Sequence, residues 1–174
     1  MFLRLTFVAL VVSLTACTTM RPEDFAGTTP ELRLEEYFLG HTRAWGMVQN
    51  RSGKPTRYFT VDIQGRREGE ELVLREDFVF RDGERSQRTW RIRKLDEHRY
   101  QGTAGDVVGT ASGRRYGNAL NWQYDLLLTV DDRQWKVHFN DWMFLHEDGV
   151  VVNRAEMTKL GVRVGEILLF FRKV

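Results

Sequence analysis

Three carboxylates fall on positions where the surrounding pattern is apolar. Glu76 interrupts Leu72, Leu74, Phe78 and Phe80; Asp141 interrupts Trp135, Val137, Phe139, Met143 and Leu145; Glu166 sits between Val164 and Leu168, Phe170. In an extended chain, alternate side chains share a face, so regular strands would point all three carboxylates into an apolar interior. A carboxylate placed there must be paired, hydrogen-bonded or protonated, because desolvation costs it several kcal/mol. The nearest candidate cations are Arg154, beside Asn153, and Arg43, next to Trp45. One reading makes Glu76, Asp141, Asn153, Arg154, Glu166 and Trp45 a polar cluster for the head group of an amphipathic ligand. The carboxylates would orient the arginine and the arginine would hold an anion. The other reading is structural: a β-bulge flips the parity, or a satisfied salt bridge closes one end of the fold. A third class uses Glu76 or Asp141 as a general acid or base, and paired carboxylates also hydrolyse glycosides, but their separation cannot be read from spacing.

Other chemistry finds little support. The histidines are His41, His98, His138 and His146. His138 and His146 share strand parity but would stand about 26 Å apart along one strand, too far to share a metal. There is no His-Glu-x-x-His, no Cys/His cluster, no Gly-x-Ser-x-Gly and no phosphate-binding loop, so no metal, cofactor or catalytic nucleophile is expected. Gly105, Gly109 and Gly113 lack the lysine of a nucleotide loop and read as bends or bulges.

The elements that must position these residues have a period of two. Phe59, Val61 and Ile63 share one parity, as do Leu120, Trp122, Tyr124, Leu126, Leu128 and Val130. Turn signals such as Arg51-Ser52-Gly53-Lys54, Arg81-Asp82-Gly83-Glu84 and Glu147-Asp148-Gly149 recur roughly every 12 residues. The expectation is an all-β antiparallel up-and-down meander of about 8–10 strands, closing into a barrel. The segment Leu32 to Leu39 reads as a short N-terminal helix or opening strand. The inward positions are rich in Trp, Phe, Tyr and Leu, which either fill such a barrel or line it for an apolar ligand. Trp142 lies on the outward parity with Phe144 and His138, which suggests a contact surface or cover by the N-terminal segment.

The only cysteine, Cys17, closes the run Leu14-Thr15-Ala16-Cys17 behind Arg4 and the apolar stretch Leu5 to Leu14. This is the layout of an export signal, and the four residues resemble a bacterial lipobox, whose cysteine is acylated before cleavage. The expected organisation is therefore a signal peptide over 1–16, a lipidated tether over 17–30 and one β-barrel domain over 31–174. Acyl chains on Cys17 would anchor the protein with no membrane-spanning helix. Thr18 in place of Asp predicts the periplasmic face of the outer membrane. The charge balance, 26 Lys+Arg against 24 Asp+Glu, loses only Arg4 with the signal and implies no nucleic-acid partner. The basic clusters Arg66-Arg67, Arg91-x-Arg93-Lys94 and Arg114-Arg115 are either solvated or face anionic lipid.

Several blocks add a resemblance. Leu34-Glu35-x-Tyr37-Phe38-x-Gly40, Ala44-Trp45-Gly46, Asp106-Val107-Val108-Gly109-x-Ala111-x-Gly113, Gly117-Asn118-Ala119, Asp141-Trp142-Met143, Asn153-Arg154-x-Glu156-Met157 and Gly161-x-x-x-Gly165-Glu166 resemble a family of Gram-negative lipoproteins catalogued as domain of unknown function 3833. The resemblance covers most of the chain after Cys17 and implies a lipocalin-like (calycin-type) barrel. It carries no activity and no catalytic residues. The functional expectation is a non-enzymatic binding or carrier domain for a small amphipathic or lipid-like molecule. The alternative is an envelope structural or protein-interaction module with no ligand cavity.

Overall fold

The computed structural model describes residues 19–130 and 133–174. The expected signal peptide over 1–16 and Cys17 lie outside the described residues. A 3-10 turn at Pro22–Phe25 and one turn of helix, α1 (Leu34–Tyr37), precede ten strands. These are β1 (Gly40–Asn50), β2 (Pro55–Glu68), β3 (Glu71–Phe80), β4 (Arg85–Lys94) and β5 (Arg99–Thr103), then β6 (Val107–Tyr116), β7 (Ala119–Val130), β8 (Arg133–Leu145), β9 (Val151–Lys159) and β10 (Val162–Lys173). Each strand pairs antiparallel with its neighbours in sequence, and β1 pairs with β10, so the sheet closes on itself. This is the up-and-down barrel that the alternation predicts, and closure leaves no free edge.

Strand parity holds along most of the chain. Leu74, Glu76, Phe78 and Phe80 of β3 point inward, as do Leu120, Trp122, Tyr124, Leu126 and Leu128 of β7 and Val137, Phe139, Asp141 and Met143 of β8. It fails in β10, where the register shifts between Arg163 and Gly165. Beyond that bulge Ile167, Leu169 and Phe171 face the interior, and Glu166, Leu168 and Phe170 face outward. The inward placement expected for Glu166 is thereby corrected, because one extra residue in a strand moves every later side chain to the other face. Trp45 is also outward, 45% exposed, beside Phe170 at 47% on the paired strand. The inward residues flanking Trp45 are Ala44 and Gly46, so the small residues of that block belong to the core and the large one does not.

One end of the barrel is plugged. Leu32, Leu34, Tyr37 and Phe38 are all buried, with Phe38 edge-on to Phe171 at 5.5 Å. The Tyr37 hydroxyl donates to the carbonyls of Gly149 (2.9 Å) and Phe171 (3.1 Å), and burial pushes its pKa up to about 12. At the same end, Glu35 accepts from Lys94 Nζ at 2.6 Å and from the hydroxyl of the buried Tyr100 at 2.7 Å. Helix α1 is too short to be stable alone, so these tertiary contacts hold it.

Residues 22–30 are docked onto the barrel. Pro22 is buried and Phe25 lies against Trp142 (5.8 Å) and Phe144 (5.3 Å), which stack on each other. Trp142 is thus covered by the N-terminal segment and is only 9% exposed. Phe25→Ala is expected to cost about 1–2 kcal/mol, the size of two lost aromatic contacts plus burial. It should also red-shift Trp142 emission, measured by fluorescence during thermal melting.

Candidate functional site

The inward side chains do not fill the barrel. They enclose a cavity of about 760 Å³, within the range that suits small-molecule sites. Its floor, over α1, is Leu34, Phe38, Ile63, Ile92, Leu120 and Phe171; near the other end it is lined by Val48, Arg57, Phe80, Leu128, Trp135 and Lys159. One wall is aromatic. Trp90 meets Trp122 at 5.7 Å and Tyr124 at 5.3 Å, and Tyr124 stacks on Phe139 at 5.1 Å. The Trp122 ring lies flat over β6, where a Cβ at Gly113 would come within 2.4 Å of it. Glycine in this strand makes room for the indole.

A polar cluster sits between floor and mouth. Asp141 is 6% exposed and fully partnered: its Oδ1 accepts from Asn153 Nδ2 at 2.9 Å, and its Oδ2 from the Tyr124 hydroxyl at 3.0 Å. Asn153 also donates to the Trp142 carbonyl at 3.2 Å, which fixes its amide. Burial raises the Asp141 pKa, opposed by these two hydrogen bonds and the Arg88 charge. Burial likewise pushes the Tyr124 hydroxyl well up, so it remains a donor.

Across the lumen, Arg88 donates through Nε and Nη2 to Asp106 Oδ2, at 3.0 and 2.6 Å. Its guanidinium lies 5.8 Å from the Phe78 ring centroid and 5.9 Å from that of Trp90. Asp106 Oδ1 is buried with no hydrogen-bond partner among the described residues. Glu76 is the register neighbour of Arg88. No ion pair within 4.0 Å holds its carboxylate among the described residues, and its pKa is pushed up to about 7. Burial is the largest cause; the Arg88 charge opposes it, and Asp106 and Asp141 add to it.

The structure therefore brings together Glu76, Asp141 and Asn153 from the expected set and separates the others. Arg154 is on the outer face of β9, where its Nε binds Glu166 Oε2 at 2.6 Å and Arg163 Nη2 binds the same oxygen at 3.0 Å. That ion-pair cluster lies on the outer face with Glu166 buried beneath the two arginines, and Arg154 does not serve the interior carboxylates. Arg43 is no partner either, lying against Trp45 on the outside, 5.7 Å from the ring. The interior cation is Arg88, and parity could have found it: Arg88, Trp90 and Ile92 alternate inward, whereas Arg85, Arg91 and Arg93 fall on the other face. Asp106 lies just before β6, where no alternation applies. Among the described residues no group of three or more His, Cys, Asp or Glu is placed to hold a metal. The basic clusters are neutralised at Arg66 by Glu68, at Arg91 by Glu68 and Glu71, and at Arg114 by Glu23.

The profile of the family described as "Protein of unknown function (DUF3833)" matches residues 11–173, nearly the whole chain. The chain belongs to this family. The DUF3833 barrel is also similar to a solved structure, the S-type phycobiliprotein lyase CPES from Guillardia theta. The TM-score is 0.59 at 9% identity, covering 80% of this chain and 90% of that one. At that identity the likeness is one of fold, a lipocalin-like barrel. No curated protein matches the DUF3833 chain at a significant level.

Proposed function

We propose that this protein is a non-enzymatic binding or carrier domain for a small amphipathic molecule, held at the periplasmic face of the outer membrane by acylated Cys17. The observation that carries the reading is the lumen of about 760 Å³, apolar at its floor and along its aromatic wall, with a polar cluster above the floor. A barrel that served only as a structural module would gain stability by filling that space with side chains. A molecule with a long apolar part and one polar group matches such a lining. The likeness in fold to a phycobiliprotein lyase is compatible with a ligand inside the barrel.

The interaction-module reading loses its main support, since Trp142 is covered by Phe25. Its remaining basis is the outer pair Trp45 and Phe170.

The test uses the chain from Thr19 onward, which holds all ten strands and the plug. Native mass spectrometry of gently purified protein is expected to show a bound small molecule, or saturable uptake of at least one amphiphile from a set with anionic, neutral and cationic head groups. Trp90 and Trp122 line the lumen, so uptake should change their fluorescence. Apo protein in every preparation, with no saturable fluorescence change, overturns the reading.

A further inference from the structure

Building on the binding reading, we infer that the polar cluster of the lumen is made for a positively charged head group: the ligand class is an amphiphile bearing a protonated amine. The inference comes from counting charges at one depth of the cavity. Three carboxylates, Glu76, Asp106 and Asp141, arrive there from β3, the residue preceding β6, and β8. Among the described residues a single cation, Arg88 on β4, faces them, and Tyr124 on β7 presents a neutral hydroxyl. The other cations in the lining are nearer the mouth and engaged. Arg57 binds Asp82 at 3.0 Å and Glu84 at 2.8 Å, and Lys159 lies over the Trp135 ring.

Asp106 already holds Nε and Nη2 of Arg88, so an incoming carboxylate would be left with the Nη1 side while lying among Glu76, Asp106 and Asp141. Like charges in a low-dielectric lumen make that arrangement unfavourable. An ammonium meets the opposite situation. Glu76 has no ion-pair partner among the described residues, and Asp106 Oδ1 is a buried acceptor with no donor. A cation with several N–H donors supplies what both lack, and moves the cluster toward neutrality. The high pKa of Glu76 in the empty barrel agrees with a carboxylate whose counter-charge is missing.

The experiment compares octylamine, octanoate and octan-1-ol, equal in chain length, by isothermal titration calorimetry at pH 7.5. The purified full chain is kept in a non-ionic amphipol, alongside the Glu76→Gln variant. Octylamine is expected to bind the unaltered protein at least about ten-fold more tightly than octanoate. Glu76→Gln should cut octylamine affinity about ten-fold and leave octan-1-ol within about two-fold. Octanoate binding as tightly as octylamine, or an amine preference that survives Glu76→Gln, overturns the inference while leaving the binding reading in place. No saturable binding of any of the three, in protein whose melting curve is cooperative, overturns the binding reading and the inference with it. The comparison of three probes on the unaltered protein decides the matter even if the variant fails to fold.

Discussion

Glu76→Gln is expected to stabilise the empty barrel by about 2–3 kcal/mol at pH 8 and to change its stability little at pH 4. The glutamate titrates near 4.5 when unfolded and at about 7 in the barrel, because burial penalises its charge. A raised carboxyl pKa means that the folded state binds the proton more tightly. Its contribution to stability is fully present below the unfolded pKa and is lost as pH rises through the folded one. The window of loss therefore runs from about pH 4.5 to about pH 7. At about 1.4 kcal/mol per pKa unit the full difference is roughly 3–4 kcal/mol, which water in the lumen lowers to about 2–3 kcal/mol. Glutamine keeps the shape and removes the titration. Urea melts at pH 4, 6 and 8 should thus give a declining series for the native chain, with Asp141 adding a fall of the same sign, and a flatter one for the variant. Equal slopes for the two proteins would mean that Glu76 is well solvated or paired.

Gly65→Ala is expected to have the largest destabilising effect of any glycine-to-alanine change among the described residues. A Cβ at Gly65 would lie 1.7 Å from the Phe38 carbonyl oxygen and 2.8 Å from the Phe38 carbonyl carbon. Backbone sits on backbone there, so no rotamer change relieves the contact, and either β2 or the turn after α1 must move. The cost should reach about 3 kcal/mol, at the upper end of overpacking effects, which lowers the Tm of a chain this size by roughly 6–12 °C. Displacing Phe38 also lifts the plug off Phe171 and Ile63, so the lumen becomes accessible from its closed end. Calorimetry measures the first effect, and acrylamide quenching of Trp90 and Trp122 the second. A Tm within 2 °C of the parent, with unchanged quenching, would show the contact to be readily relaxed.

The barrel was legible because an up-and-down meander repeats one local instruction: alternate, turn, alternate. A meander of about 8–10 strands and the inward faces of β3, β7 and β8 follow from it, whereas the segment before β1 stayed open between a helix and an opening strand. The candidate site was legible only where alternation stayed regular, at Glu76, Asp141 and Asn153. Glu166 fell on the wrong face because the register shift before Gly165 leaves no compositional mark distinct from other glycines. Trp45 was misplaced for a related reason: in β1 the inward positions are Ala44 and Gly46, packed beneath Phe59, so bulk no longer signals the core. Arg88 was hidden among arginines that point outward, and only the phase of Trp90 and Ile92 separates it from them. Asp106 joins the site through chain topology, which no local pattern encodes.

The pairing of β1 with β10 also sets an order of events during folding. Nine residue pairs, from Thr42 with Lys173 to Asn50 with Gly165, close the cylinder, and they join the two ends of the chain. Every other strand pair can zip with its sequence neighbour as soon as both have emerged, but this seam must wait until the final strand is available. A chain delivered vectorially, N-terminus first, therefore passes through a rolled sheet with two unpaired borders. Those borders carry Trp45 and Phe170, opposite each other in the finished seam. Until closure, the chain has two sticky edges in search of a partner, and the correct partner is the other edge of the same molecule.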